Sequence, residues 1–224
     1  MGVKPSPDRL YGRQRTHALR PRQQKLLDVT LPRLRYGPEN PFPPELTRTW
    51  MEVGFGGGEH SRALVAANPD IGLIACEVFE QGLCSLLAAL VPEGGEATAP
   101  LPENLRLWDD DARALLRALP ETSLDRLFLM FPDPWPKARH AKRRFMHPDT
   151  VALVASRLKP GAEWRIASDD PTYQDWVAEV MGGQSLFLYQ QPARERPPGW
   201  PATRYEAKAL RAGRTPLYWR MIRS

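Results

Sequence analysis

Trp50-Met51-Glu52-Val53-Gly54-Phe55-Gly56-Gly57-Gly58-Glu59 passes from an apolar strand candidate through a glycine cluster into a helical segment reaching Asn68. Glycines directly after a strand permit a tight turn and let a ligand approach the backbone closely. A dinucleotide fingerprint, G-x-G-x-x-G, would put its third glycine where this chain has Glu59. Acidic residues on both sides of the turn, Glu52 and Glu59, are poorly suited to a pyrophosphate, which is held by bare N–H groups at the positive end of a helix. They suit a ligand bearing an ammonium and a sulfonium, as S-adenosylmethionine does.

Outward from this turn, strands and helices alternate. A second strand is expected at 71–76, a helix at 83–91, a Pro/Gly-rich connector at 92–103, a short strand at 105–108 and a helix at 112–119. Residues 124–131 read as the most buried strand. A helix at 149–158 meets the stop Lys159-Pro160-Gly161, where lysine suits a helix C-terminus and Pro-Gly ends it. Then come a strand at 163–167, a helix at 172–181, a strand at 186–189, a short helix from Arg204 and a last strand at 217–222. Seven strands alternating with helices predict an α/β fold, a mostly parallel sheet with helices on both faces. Ligands of such sheets sit beyond the carboxyl ends of the strands. The first 45 residues hold one short periodic run, Leu26 to Leu31, and read as a basic arm (1–45) preceding the α/β domain (46–224).

With 224 residues, 42% of them hydrophobic and 25% charged, the composition is that of a globular domain large enough for a single core. No run approaches the ~18 apolar residues of a membrane span, and the polar, basic start lacks the apolar region of a secretory signal. Two cysteines, Cys76 and Cys84, make no disulfide framework. The expected location is cytoplasmic. The net charge of +5 is unevenly spread. Residues 1–50 carry +6, 132–147 carry +4 and 194–224 carry +6, while the remainder carries −11. An acidic middle with basic borders points to a cationic or polyhydroxylated ligand in the centre and a polyanion across the edges.

The chemistry-bearing residues follow the strands. Glu77 closes the second strand, where an acidic residue takes ribose hydroxyls. Asp109-Asp110-Asp111 closes the third and opens a helix; one of these caps it, and Asp111 is placed to reach an adenine amine. After the fourth strand, Phe131-Pro132-Asp133-Pro134-Trp135-Pro136-Lys137 holds a carboxylate between two prolines that fix the backbone. The run Lys137-Ala138-Arg139-His140-Ala141-Lys142-Arg143-Arg144 sets a phosphate-binding surface beside it. His17, His60, His140 and His147 lack metal-ligand spacing, so no metal is expected.

These motifs, with Ser168-Asp169 and Thr203-Arg204-Tyr205-Glu206, closely resemble the bacterial tRNA (guanine-N7-)-methyltransferases, from about Leu10 to the C-terminus. The resemblance implies a Rossmann-like class I S-adenosylmethionine-dependent methyltransferase acting on a guanine of the tRNA variable loop, with tRNA as its partner and no obligate protein partner. It implies donor contacts from Glu52, Gly54, Gly56, Gly58, Glu77, Asp111 and Asp133, with Asp133 also catalytic. Lys137, Asp169, Thr203, Arg204, Tyr205 and Glu206 would hold the substrate, and Arg139, His140, Lys142, Arg143 and Arg144 the RNA. Two of these motifs also have a local structural explanation. Thr203-x-x-Glu206 is a capping box, and Asp170-Pro171 is an N-cap followed by proline at N1. Ala141 departs from the asparagine frequent in the family loop, and the 92–103 connector is longer than in many relatives. Two rival functions are a non-catalytic RNA-binding protein on a methyltransferase scaffold and an exocyclic-amine methyltransferase. The second usually carries an acid or amide, two prolines and an aromatic, which the interposed prolines here do not match.

Overall fold

A computed structural model describes residues 18–224; the earlier part of the expected arm, with Arg13, Arg15 and His17, lies outside the described residues. The chain divides into two compact units, one running to Leu115 and the other from Leu116 to Ser224.

In the first unit, β1 (Arg48–Val53), β2 (Ile71–Cys76) and β3 (Leu105–Trp108) are parallel, with β2 between the others. All six residues of β2 are buried, as its uninterrupted apolar sequence requires of a strand covered on both faces. Helix α3 (Glu59–Ala67) follows β1, α4 (Glu80–Leu90) follows β2, and α5 (Ala112–Ala118) follows β3. Helix α4 starts earlier than the apolar run at 83–91 indicates. The Glu77 carboxylate accepts from the N–H groups of Val78 (2.8 Å) and Phe79 (3.0 Å), which closes the strand-to-helix turn at once.

Upstream, α1 (Pro21–Lys25), a π-helical turn (Leu26–Thr30) and α2 (Leu31–Leu34) run on without interruption. Leu26, Leu31 and Leu34 are buried, and this helical stretch packs on α4 and β3. Glu96, in the long connector, anchors it. Its carboxylate pairs with Lys25 (2.9 Å) and Arg22 (3.4 Å), and its carbonyl accepts from Thr30 Oγ1 (2.8 Å) and Arg33 (3.2 Å).

In the second unit, β4 (Leu124–Met130) and β5 (Leu158–Ser168) are parallel, while β7 (Leu217–Arg223) runs antiparallel to β5, and β6 (Phe187–Tyr189) antiparallel to β7. The order is β4-β5-β7-β6. The expected stop at Lys159-Pro160-Gly161 falls within β5 as a break in register. Pairing steps from Leu124–Leu158 to Arg126–Glu163, and Gly161 takes the left-handed φ of 79° that this excursion needs. Helices α6 (Pro148–Arg157) and α7 (Pro171–Gly182) follow β4 and β5, and α8 (Arg204–Arg211) precedes β7. Trp164, fully buried, meets Phe145 and Phe187 at ring distances of 6.5 and 5.6 Å, and Trp176 and Trp219 are buried as well.

Candidate functional site

In the first unit the glycine cluster is a turn that only glycine adopts without strain. Gly54, Gly56 and Gly58 have φ of 75°, 59° and 81°. Space in front of Gly54 is open: a Cβ built there would meet nothing within 4 Å. Behind the turn the packing is close. Gly56 N–H donates to Glu77 Oε2 (2.8 Å), and Gly82 of α4 lies against the Gly56 carbonyl with no room for a side chain.

Glu52 is 1% exposed. One of its oxygens meets His60 Nδ1 at 2.8 Å and the other accepts from Ser61 Oγ at 2.5 Å. Glu52 thereby fastens the first turn of α3. Asp111 caps α5 by accepting from Arg113 N (2.9 Å) and pairs with the Arg113 guanidinium (2.6 Å). Its neighbour Asp109 pairs with Arg35 (2.6 Å). All of these carboxylates carry a structural load. Glu77 spends three of its roughly four acceptor positions on the amides of Gly56, Val78 and Phe79.

In the second unit Asp133 is exposed and has no hydrogen-bond or ion-pair partner among the described residues. The backbone around it is strained. Phe131 (φ 53°) and Trp135 (φ 43°) are both left-handed, a conformation costing a non-glycine residue about 1–3 kcal/mol. Such bends survive only where the surroundings over-determine them, and here they do. Phe131 N–H donates to Ala167 O at 2.8 Å, tying the loop's start to β5.

The basic turn is a 3-10 helix, Ala138–Arg143. Lys137, Arg139 and Lys142 are exposed, and Arg143 stacks over the Trp135 ring at 4.9 Å. His140 meets that ring edge-on at 5.8 Å. Burial, then Arg143, Arg139, Lys137 and Lys142, pull its imidazole below the ordinary value. Arg144 is placed differently from the other cations of the run. It is 4% exposed, its Nε donates to Pro134 O (3.0 Å) and its Nη2 to Trp135 O (3.1 Å), and its guanidinium lies over Trp176 at 4.8 Å. Its guanidinium faces the protein interior.

Asp169 follows β5 as expected, but its carboxylate is paired with Arg214 (2.6 Å), a residue the sequence reading did not single out. Asp170 caps α7 by accepting from Tyr173 N (3.0 Å), with Pro171 at N1. Thr203 and Glu206 form the capping box of α8. Thr203 Oγ1 accepts from Glu206 N (3.0 Å), and Glu206 Oε1 accepts from Tyr218 OH (2.9 Å) and Arg196 Nε (3.0 Å), leaving both residues buried. Arg204 and Tyr205 are the exposed members of the motif, the guanidinium 5.0 Å from its neighbour's ring. Trp200 is packed, 4% exposed, between Tyr218 and Arg165. Among the described residues no helix is long and apolar enough to cross a membrane, and no group of three or more His, Cys, Asp or Glu is disposed to hold a metal.

Residues 47–218 match a methyltransferase family model, Methyltransf_4. The 16S rRNA methyltransferase KamB, 15% identical, superposes with a TM-score of 0.57 over 82% of this chain and 95% of its own, which shows the class I methyltransferase fold expected above. The tRNA (guanine-N(7)-)-methyltransferase of Paramagnetospirillum magneticum is 44% identical over 94% of this chain and 91% of its own length. That of Granulibacter bethesdensis is 68% identical over 100% of this chain and 98% of its own. With identity of that degree from end to end, the chain belongs to the tRNA (guanine-N(7)-)-methyltransferase family.

Proposed function

We propose that the protein transfers a methyl group from S-adenosylmethionine to N7 of a guanine in the tRNA variable loop, in the cytoplasm. The observation that carries this reading is Asp133, an exposed carboxylate with no hydrogen-bond partner among the described residues, held by two prolines and two left-handed aromatic residues beside a cationic turn. The residues of the first unit fit the donor, with open space before Gly54 in a turn pinned from behind, and carboxylates at Glu77 and Asp111 on the ends of β2 and β3. The donor supplies an electrophilic methyl carbon on a sulfonium.

Guanine N7 carries an in-plane lone pair and no proton, so attack needs no general base. N7 bonds to the methyl carbon as the carbon–sulfur bond breaks and its electron pair returns to sulfur. What the protein contributes is alignment, worth several kcal/mol for well-oriented groups, and a fixed anion for the positive charge arriving on the guanine ring. Asp133 supplies that anion and accepts from guanine N1–H and N2–H. Lys137, exposed four residues on, donates to O6 or to a phosphate. Asp169 meets the substrate with one oxygen, Oδ2, already accepting from Arg214 Nε.

The test uses labelled S-adenosylmethionine and tRNA transcripts with or without the variable-loop guanine, followed by N7-specific strand cleavage. Label confined to that guanine, and lost with Asp133→Asn, supports the reading. Label on another base overturns the substrate, and tRNA binding without labelling restores the non-catalytic alternative.

A further inference from the structure

We infer that Arg144 is a positioning residue for the Asp133 loop and not one of the cations that grip tRNA. A guanidinium buried to 4% exposure gives up most of its hydration, so its position must be set by what it holds. It donates to two carbonyls, Pro134 O at 3.0 Å and Trp135 O at 3.1 Å, and lies over the face of Trp176 at 4.8 Å. Those carbonyls belong to the residue directly after Asp133 and to the next one, the left-handed Trp135. A planar fork of donors can satisfy two successive carbonyls in one fixed geometry; a lysine ammonium, a point charge on a flexible stem, cannot. The bend at Trp135 is therefore held from within by Arg144.

The support behind Arg144 is itself anchored. Trp176 Nε1 donates to Met146 O, and Met146 N donates to Tyr173 OH at 3.3 Å, both rings lying on α7. The far end of the basic turn is thus clasped by α7, and the near end is clasped by Arg144 resting on α7. The five cations of the turn divide by task. Lys137, Arg139 and Lys142 face outward, Arg143 covers Trp135, and Arg144 faces inward to set the loop.

This inference rests on the proposed reaction for its kinetic arm but not for its structural one. Arg144→Lys is compared with Arg139→Ala and with the unaltered protein in three measurements: turnover at saturating tRNA, tRNA affinity as a function of salt, and hydrogen exchange of the Asp133, Trp135 and Lys137 amides. A loop displaced by about 1 Å lowers turnover on the order of 100-fold. For Arg144→Lys we expect that loss, a tRNA Kd within about twofold of the unaltered value with the same salt slope, and faster exchange at the three amides. Arg139→Ala should instead weaken tRNA binding, with a salt slope reduced by about one.

Arg144→Lys with a weakened salt slope and unchanged turnover and exchange overturns the inference. Loss of the cooperative melting transition in Arg144→Lys, with exchange raised throughout the chain, also overturns it, because the residue would then be a general support. If the unaltered protein methylates no tRNA, the proposed reaction fails, and loop-confined exchange in Arg144→Lys still decides the positioning role.

Discussion

Gly82→Ala separates two physical accounts by sign. Gly82 lies inside α4, and in an unobstructed helix interior replacing glycine by alanine gains about 1 kcal/mol. By propensity alone the variant melts about 2–4 °C higher for a chain of this length. The structure requires the reverse. A Cβ at Gly82 would overlap the carbonyl oxygen of Gly56 and stand 3.1 Å from Glu77 Cγ. The obstacle is backbone, and Gly56 cannot recede easily, because its N–H is bound to Glu77 at 2.8 Å.

Forcing a methyl into such a contact costs about 1–3 kcal/mol, so the net change is a loss on the order of 1 kcal/mol. The relief must come from moving either α4 or the glycine turn. Thermal unfolding should show a midpoint about 2–4 °C lower, and calorimetric titration should show weaker binding of S-adenosylmethionine. Gly182→Ala, at the end of α7 with nothing within 4 Å, serves as the comparison and should not lower the midpoint. A raised midpoint in Gly82→Ala, with donor affinity unchanged, would refute the idea that α4 braces the turn.

Three further outcomes follow from contacts already described. Glu163 is the shared partner of Arg126 and Arg165 (2.8 Å each) and of Arg220. Burial raises its carboxyl pKa, but Arg165 and Arg126 outweigh it and hold the group below the ordinary carboxylate range. Glu163→Gln leaves three guanidiniums facing one another and should cost about 3 kcal/mol in a denaturant titration; a loss under 1 kcal/mol would show that solvent screens the cluster.

Glu96 is held down at about 2, chiefly by the hydrogen bond from Lys25. A depressed carboxylate stabilises above its ordinary pKa of about 4.3 and loses that contribution as the pH falls from there through about 2. The helical stretch at 21–34 should therefore loosen in that acid window, and Glu96→Gln should let trypsin cut after Arg22 or Lys25 faster at neutral pH, equal rates being the contrary result. Thr203→Ala should cost about 1 kcal/mol through the lost cap and Thr203→Ser very little; a raised KM for tRNA with unchanged stability would instead assign Thr203 to the substrate.

What the sequence made legible was local. Three glycines at alternate positions after an apolar run announced a left-handed turn, because no other residue tolerates those angles repeatedly. Proline on either side of Asp133 announced a fixed loop, and Asp170-Pro171 and Thr203-x-x-Glu206 announced helix starts that the structure contains. What it concealed depends on distant partners. Arg143 and Arg144 are neighbours in one cationic run, yet only the second meets Trp176, so one stays on the loop's surface and the other inside it. The pairing of Asp169 is not legible because Arg214 stands 45 residues away. Nothing in the neighbourhood of Glu52 announces that His60 and Ser61 turn back onto it. Lys159-Pro160-Gly161 was read as a stop because those residues do interrupt pairing, although the strand resumes register three residues later than its partner.

The hold of α7 on the basic turn has a consequence for the order in which the chain can be assembled. Trp176 is made 43 residues after Asp133, an interval of about 2–9 s at ordinary rates of synthesis. During that interval the Pro132-Asp133-Pro134-Trp135 segment has left the ribosome's decoding site without the helix against which Arg144 rests. Its left-handed Trp135 then lacks the clasp of Arg144 resting on α7 and samples extended backbone. The Asp133 loop, proposed to carry the chemistry, therefore takes its shape only after α7 has been made. A nascent protein stopped short of α7 would complete the glycine turn of its first unit while its Asp133 loop remained unset.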